Sequence, residues 1–165
     1  MVSDPLTPTL IIEGDVEAPA SLSFDDLAAL PESFQVRDVS RLDAKRQGDA
    51  VKFSALLALV RPRAGVRYLT LHASNDDFHA SIPLDSVRDR AILIYRLNGQ
   101  PLPLSAGGPL RFFIPDFAAC HTAEVDECAN VKFVDRIELS VERGQDNRPQ
   151  DEQSHAKIHK RKDEG

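Results

Sequence analysis

Arg111 and Lys132 are the side chains of this 165-residue chain best set to hold an anion. Arg111 closes the run Gly107-Gly108-Pro109-Leu110-Arg111, and Lys132 follows Asn130-Val131. A guanidinium offers a planar fork that grips phosphate through two parallel hydrogen bonds, whereas an ammonium acts as a point charge. Asn130 adds a neutral hydrogen-bonding group. Gly107 and Gly108 permit the backbone itself to approach a ligand. Together these residues describe a site for a small anionic cofactor or ligand.

A second group is Cys120-His121 with Cys128, separated by Glu124, Asp126 and Glu127. Soft and hard ligands this close can hold a metal, yet a structural zinc site normally shows two close ligand pairs. A disulfide across the loop and two reduced thiols are the other outcomes open to them. Asp38 can serve as a general base, pair with Arg37 or Arg41, or stand as a turn carboxylate in solvent. His72 and His79 fall on adjacent strands where they can face each other, but no third ligand accompanies them, and they read as polar strand residues. His155 and His159 stand four apart in a basic, solvated stretch.

The elements that must position these groups are mostly strands. Thr9 to Gly14 reads as a strand ended by glycine. Ser23 caps a short helix carrying Phe24, Leu27 and Leu30, which Pro31 stops. Phe34 to Val39 alternates as a strand, with Phe34, Val36 and Asp38 on one face. The spacing of Phe53, Leu56, Leu57 and Val60 predicts a helix over 51–60. Tyr68 to Ala73 and Phe78 to Ile82 form a hairpin about Asn75-Asp76-Asp77. A short helix opens at Pro83, and a buried strand covers 91–97 before the Asn98-Gly99 turn. Residues 110–114 and 131–141 supply the last strands. The expected architecture is an α+β, β-rich mixed domain with short helices over 9–141. Residues 142–165 are polar and read as a disordered charged tail. No glycine fingerprint follows a strand and opens a helix, so a Rossmann fold is excluded.

Composition narrows the function further. The net charge is −6, and the six acids and six bases from Glu142 onward cancel, so the folded part is acidic. That excludes a broad nucleic-acid surface. No apolar run reaches the roughly 18 residues a membrane span needs. The start, Met1-Val2-Ser3-Asp4-Pro5, shows no basic region followed by an apolar one, so a cytoplasmic protein with reduced thiols is expected. No haem-attachment motif is present.

The ordered motifs resemble one family. Gly14-Asp15-Val16-Glu17, Ser21-Leu22-Ser23 with Asp25-Asp26-Leu27, Asn98-Gly99-Gln100-Pro101-Leu102, Gly107-Gly108-Pro109 with Arg111, and Asn130-Val131-Lys132-Phe133 with Arg136-Ile137 are similar to the molybdopterin-binding domain of the sulfite oxidase family. The likeness runs from about Leu10 to Val141. It implies a mixed, mostly β fold and a molybdenum-molybdopterin cofactor anchored by Arg111, Lys132 and Asn130. It also implies a metal held by one cysteine thiolate, and here the chain departs: the matching position, before Val39, is Asp38. Ala106 and Phe133 replace the family's usual His or Asn and its tryptophan. A carboxylate is a harder ligand than a thiolate. The resemblance thus implies an oxidoreductase-like domain with a degenerate metal position, the alternative being a non-catalytic interaction or scaffold module that keeps the fold.

Overall fold

The computed structural model describes residues 9–42, 46–115 and 131–147. Two sheets pack face to face. The first has the order β2-β1-β10-β5-β6, built from β1 (Leu10–Gly14), β2 (Ala20–Leu22), β5 (Tyr68–Ala73), β6 (Phe78–Pro83) and β10 (Arg136–Ser140). Its β1–β10 pair is parallel, with Ile12 opposite Ile137, and its other pairs are antiparallel. The second sheet joins β3 (Gln35–Val36), β4 (Asp49–Lys52), β7 (Ile92–Leu97) and β8 (Gln100–Pro101), and β9 (Arg111–Phe113) pairs with the start of β7. Helices are short: α1 (Phe24–Ala28), α2 (Phe53–Val60) and α3 (Leu84–Val87). The α+β, strand-dominated architecture expected from the sequence is the one observed.

Strand alternation explains where the core lies. Leu69 and Leu71 of β5, Ile82 of β6 and Ile137 of β10 turn inward to meet Leu93, Tyr95 and Phe112 of the second sheet. The other face of that sheet is also apolar. There Ile92, Ile94 and Phe113 gather with Val39, Ala50 and Leu102 into a smaller cluster. β7 therefore buries both faces, which is why its sequence, Ile92-Leu93-Ile94-Tyr95, is unbroken in hydrophobicity. The outer cluster is the floor on which the candidate site is built.

Several boundaries differ from the sequence expectation, each for a local reason. The helix placed over 51–60 begins only at Phe53, because Ala50 and Val51 pair with Ile94 and Leu93 in β4. The strand placed over 34–39 shrinks to two residues, since Asp38 adopts a left-handed backbone (φ 58°) and opens a 3₁₀ turn at Val39–Arg41. Residues 131–135 form a bend rather than the start of β10, with Phe133 at φ 64°. β2 was not foreseen; it pairs antiparallel with β1. The tail boundary at 142 is also too early. Gly144 N–H donates to Ser81 Oγ (2.8 Å) and Asn147 N–H to the His79 carbonyl (3.0 Å), so 142–147 lies back along β6. Polar residues were read there as unfolded, but they satisfy the open backbone of an edge strand. Residues 148–165 lie outside the described residues.

Ser23 caps α1 as expected, and the structure adds a full capping box: its hydroxyl accepts from Asp26 N–H (3.1 Å), and the Asp26 carboxylate accepts from Ser23 N–H (2.9 Å). α2 has no side-chain cap, and burial holds it instead. Its Phe53, Leu56 and Val60 are fully covered, each contributing about 2 kcal/mol, more than the roughly 1 kcal/mol of a cap.

Candidate functional site

Two arginines meet in a cleft on the outer face of the second sheet. The cleft, about 190 Å³, is lined by Arg46, Gln47, Ile94, Leu97, Ala106 and Arg111. Arg111 opens β9 opposite Ile94 of β7, so strand alternation sends it to the same face as Phe113 while Phe112 enters the main core. Arg46 arrives from the segment before β4 and lays its guanidinium over the Phe113 ring, 5.1 Å from the centroid. Gly48, at φ 109°, makes that approach possible; a Cβ there would run into the Arg96 carbonyl oxygen.

The electrostatics of the cleft are one-sided. The Nε atoms of both Arg46 and Arg111 are buried without a hydrogen-bond partner among the described residues. Burial, and then the neighbouring Arg46 charge, pulls Arg111 below its ordinary pKa. Buried polar groups normally find partners, and two like charges in one pocket repel. The cleft therefore has donors and positive charge to give, and no acid among the described residues lines it.

Gly107 connects this cleft to Lys132. It stands at φ 101°, and a Cβ on it would lie 3.2 Å from Lys132 Cβ and 3.4 Å from Arg111 Cδ. Phe133 N–H donates to the Gly107 carbonyl and Val134 N–H to the Leu110 carbonyl, both at 2.8 Å, which ties 131–134 against the loop before β9. Lys132 itself is exposed beside the cleft rather than in its lining, its Nζ 5.4 Å from the Phe133 ring centre. Gly108 serves packing: any Cβ there would strike the Leu102 carbonyl, and its N–H donates to the Pro103 carbonyl at 2.9 Å.

Asp38 stands apart from the cleft lining. Its side chain is 56% exposed. The Ser40 hydroxyl donates to its carboxylate, and Arg41 Nε lies 3.7 Å from it. Its backbone N–H donates to Asp49 Oδ1 (2.8 Å), while the other oxygen of Asp49 accepts from Arg96 Nε (3.0 Å). Val39, the next residue, is fully buried in the outer cluster. The Asp38 turn is thus fixed to the same floor as the cleft, by a carboxylate and a core valine.

The residues singled out from sequence divide as follows. Arg111, Gly107 and Lys132 come together, and Asp38 does not line their cleft. Asn130, Cys120, His121 and Cys128 lie outside the described residues. Among the described residues no group of three His, Cys, Asp or Glu side chains is placed to hold a metal ion. Arg46 and Gln47 were missed. Their signal was a cation ahead of a glycine in Arg46-Gln47-Gly48, the same kind of pairing that drew attention to Gly107 and Arg111.

Residues 2–147 match the model of the oxidoreductase molybdopterin-binding domain. The chain belongs to that family. A curated relative, the uncharacterized oxidoreductase YuiH of Bacillus subtilis (strain 168), is 35% identical over 113 residues, covering 64% of this chain and 56% of the relative. The crystal structure of the sulfane dehydrogenase SoxCD from Paracoccus pantotrophus shares the fold. It superposes with a TM-score of 0.60 at 21% identity, over 87% of this chain and 40% of that one. The chain thus spans about half the length of the proteins it matches. The fold of this molybdopterin-binding domain is of the sulfite-oxidase type, as the ordered motifs implied. The family match ends at residue 147, where the segment along β6 also ends its described course.

The donor set suits one end of such a cofactor better than the other. Two unpartnered guanidinium Nε atoms, a glycine cradle and a neighbouring lysine fit the anionic end of a phosphorylated pterin. For the metal end the sequence offers only Asp38 at the expected position, and no cysteine is among the described residues.

Proposed function

We propose that this chain is the cofactor-holding unit of a molybdopterin-dependent oxidoreductase, and that it grips the anionic end of the cofactor through Arg111 and Arg46. The single observation that carries this reading is the pair of buried guanidinium Nε atoms without partners in one cleft. Arg111 supplies a fork from a rigid strand, and Arg46, stacked on Phe113, supplies the second positive charge. Gln47 offers a neutral donor at the rim, and Lys132 and Asn130 add charge and a hydrogen bond from the adjoining segment. Gly107 keeps the space between Arg111 and Lys132 clear. When bound, the molybdenum pterin supplies oxygen-atom transfer chemistry. With Asp38 at the thiolate position, that chemistry lacks its usual protein ligand, so the wild-type chain holds cofactor better than it turns over. A small anionic ligand, rather than nucleic acid or a membrane, and a cytoplasmic setting belong to the same proposal.

Protein purified from its own host tests it through released-pterin fluorescence and molybdenum analysis. Wild-type chain should carry pterin, and Arg111→Gln should lose at least about tenfold of it, the effect of one charged hydrogen-bonding group. Asp38→Cys should gain turnover with an artificial electron acceptor. Wild-type protein free of pterin, from a host that makes the cofactor, rejects the binding claim. That result would leave the alternative, a non-catalytic interaction or scaffold module. The engagement of the Asp38 carboxylate by Ser40 and Arg41 favours this second reading.

A further inference from the structure

The outer face of the first sheet carries a chain of four titratable groups far from the cleft. His72 of β5 and His79 of β6 sit directly opposite each other, their ring centres 4.9 Å apart and their Nδ1 atoms 2.7 Å apart. His72 Nε2 lies 3.1 Å from Glu138 Oε1 on β10, and His79 Nε2 lies 3.0 Å from Asp77 Oδ1 in the hairpin turn. The side chains of His72 and His79 are 2% and 12% exposed. The order is therefore carboxylate, imidazole, imidazole, carboxylate.

Counting protons shows what this order demands. Each ionised carboxylate only accepts, so both Nε2 atoms must carry hydrogen. The Nδ1–Nδ1 contact needs one hydrogen more. Three N–H groups on two imidazoles is one more than two neutral rings possess. The pair satisfies all three contacts only as imidazole plus imidazolium, with a single extra proton. Fewer protons leave two lone pairs facing each other; one more leaves two N–H groups in collision. Because interacting groups titrate as a unit, this state belongs to the pair rather than to either ring.

His79 also holds the segment that follows β10. Its backbone N–H donates to Asn147 Oδ1 (2.9 Å), its carbonyl accepts from Asn147 N–H (3.0 Å), and the Asp77 carbonyl accepts from Asn147 Nδ2 (2.8 Å). β6 is an edge strand of its sheet, so displacing it disturbs only one neighbouring strand. We propose that His72 and His79 share one proton that latches residues 142–147 onto β6, so that docking of this segment depends on pH.

The other charges facing the pair among the described residues are already engaged. Arg136 of β10 is bound to Glu13 of β1 (2.6 Å), Asp135 accepts from Ser74, and Arg143 pairs with Asp146 (3.0 Å). Burial lowers the proton affinity of His72, against the pull of the Glu138 carboxylate. The sign follows from linkage. Release of the segment frees the edge strand β6 and parts the two rings, which then titrate near the free value of about 6.5. Below that value the parted pair binds two protons against one in the latched pair, so docking strengthens as pH rises. Above it the parted pair binds none, so docking weakens as pH rises further. The latch has an optimum near neutrality.

Native-state hydrogen exchange on the full chain reads this out at the amides of Gly144 and Asn147. Their protection should peak near pH 6.5 and fall about tenfold on either side, the size of one lost hydrogen bond. His79→Gln should flatten the profile, and Asp77→Asn should bring the alkaline fall to lower pH. Flat or monotonic protection in the wild type, or a peak that survives His79→Gln, overturns the proposal. Ring nitrogen-15 spectra of the unmodified protein provide a test that no substitution can confound. Three protons on the four ring nitrogens at neutral pH support the shared state, and two neutral rings refute it.

Discussion

At the residue scale, the cleft pits binding against stability. Arg46 and Arg111 both bury a donor without a partner and both carry charge into one pocket. Replacing Arg46 with Gln should therefore stabilise the ligand-free chain, by about 1 kcal/mol for relief of one unsatisfied buried donor, while lowering pterin retention. Denaturant melts of ligand-free protein and pterin content of host-purified protein measure the two effects. If both fall together, Arg46 is structural rather than ligand-directed. Inorganic phosphate should raise the melting temperature of the wild type by mass action and do so less in Arg46→Gln. Gly107→Ala tests the cradle. The new methyl crowds Lys132 Cβ and touches Arg111 Cδ on a backbone at φ 101°, so Lys132 must give way. Retention should fall by about tenfold or more, with a stability loss of about 1–2 kcal/mol from the left-handed backbone.

At the element scale, Gln35 fastens three pieces together. Its amide Nε2 donates to the Leu27 and Leu30 carbonyls at the end of α1, and its Oε1 accepts from the hydroxyl of fully buried Tyr95 on β7. Tyr95→Phe should cost about 1 kcal/mol, the net worth of such a bond, measured by urea unfolding; no change would mean that water replaces the contact. This fastening also shows what the sequence could and could not say. Ser23 and Asp26 declared the start of α1 because a cap is a local matter of three residues. Gln35 looked like an ordinary polar strand position, since its partners lie 5, 8 and 60 positions away. Val51 was misread as helical because only Lys52 separates Ala50-Val51 from Phe53, and only pairing with β7 distinguishes the strand from the helix. Arg111 was legible because glycines marked its approach. Arg46 was not, because its charge looked like one more solvated cation in a polar loop until Phe113 came beneath it. The facing histidines were visible as strand neighbours, but the carboxylates at both ends come from the turn and from β10, which no local pattern connects.

At the scale of the whole molecule, both sheets depend on pairings between distant parts of the chain. In the second sheet Asp49 joins distant parts, accepting from the Asp38 backbone and from Arg96, whose side chain is 13% exposed. Asp49→Asn should loosen residues 38–42 and destabilise the domain by about 2 kcal/mol, in the range for a charged hydrogen bond, with faster exchange at the Asp38 and Val39 amides. Unaltered exchange there would separate the Asp38 turn from the cleft floor. The largest consequence lies in the first sheet, where β10 sits between β1 and β5. A strand from the end of the domain is its inner member, and β1, made first, has only β2 beside it until β10 inserts. On a translating ribosome the domain therefore waits with an apolar strand unpaired on each side of a gap. Nascent chains stopped before Arg136 should remain protease-sensitive and chaperone-bound, and chains extended past Asn147 should close in one cooperative step.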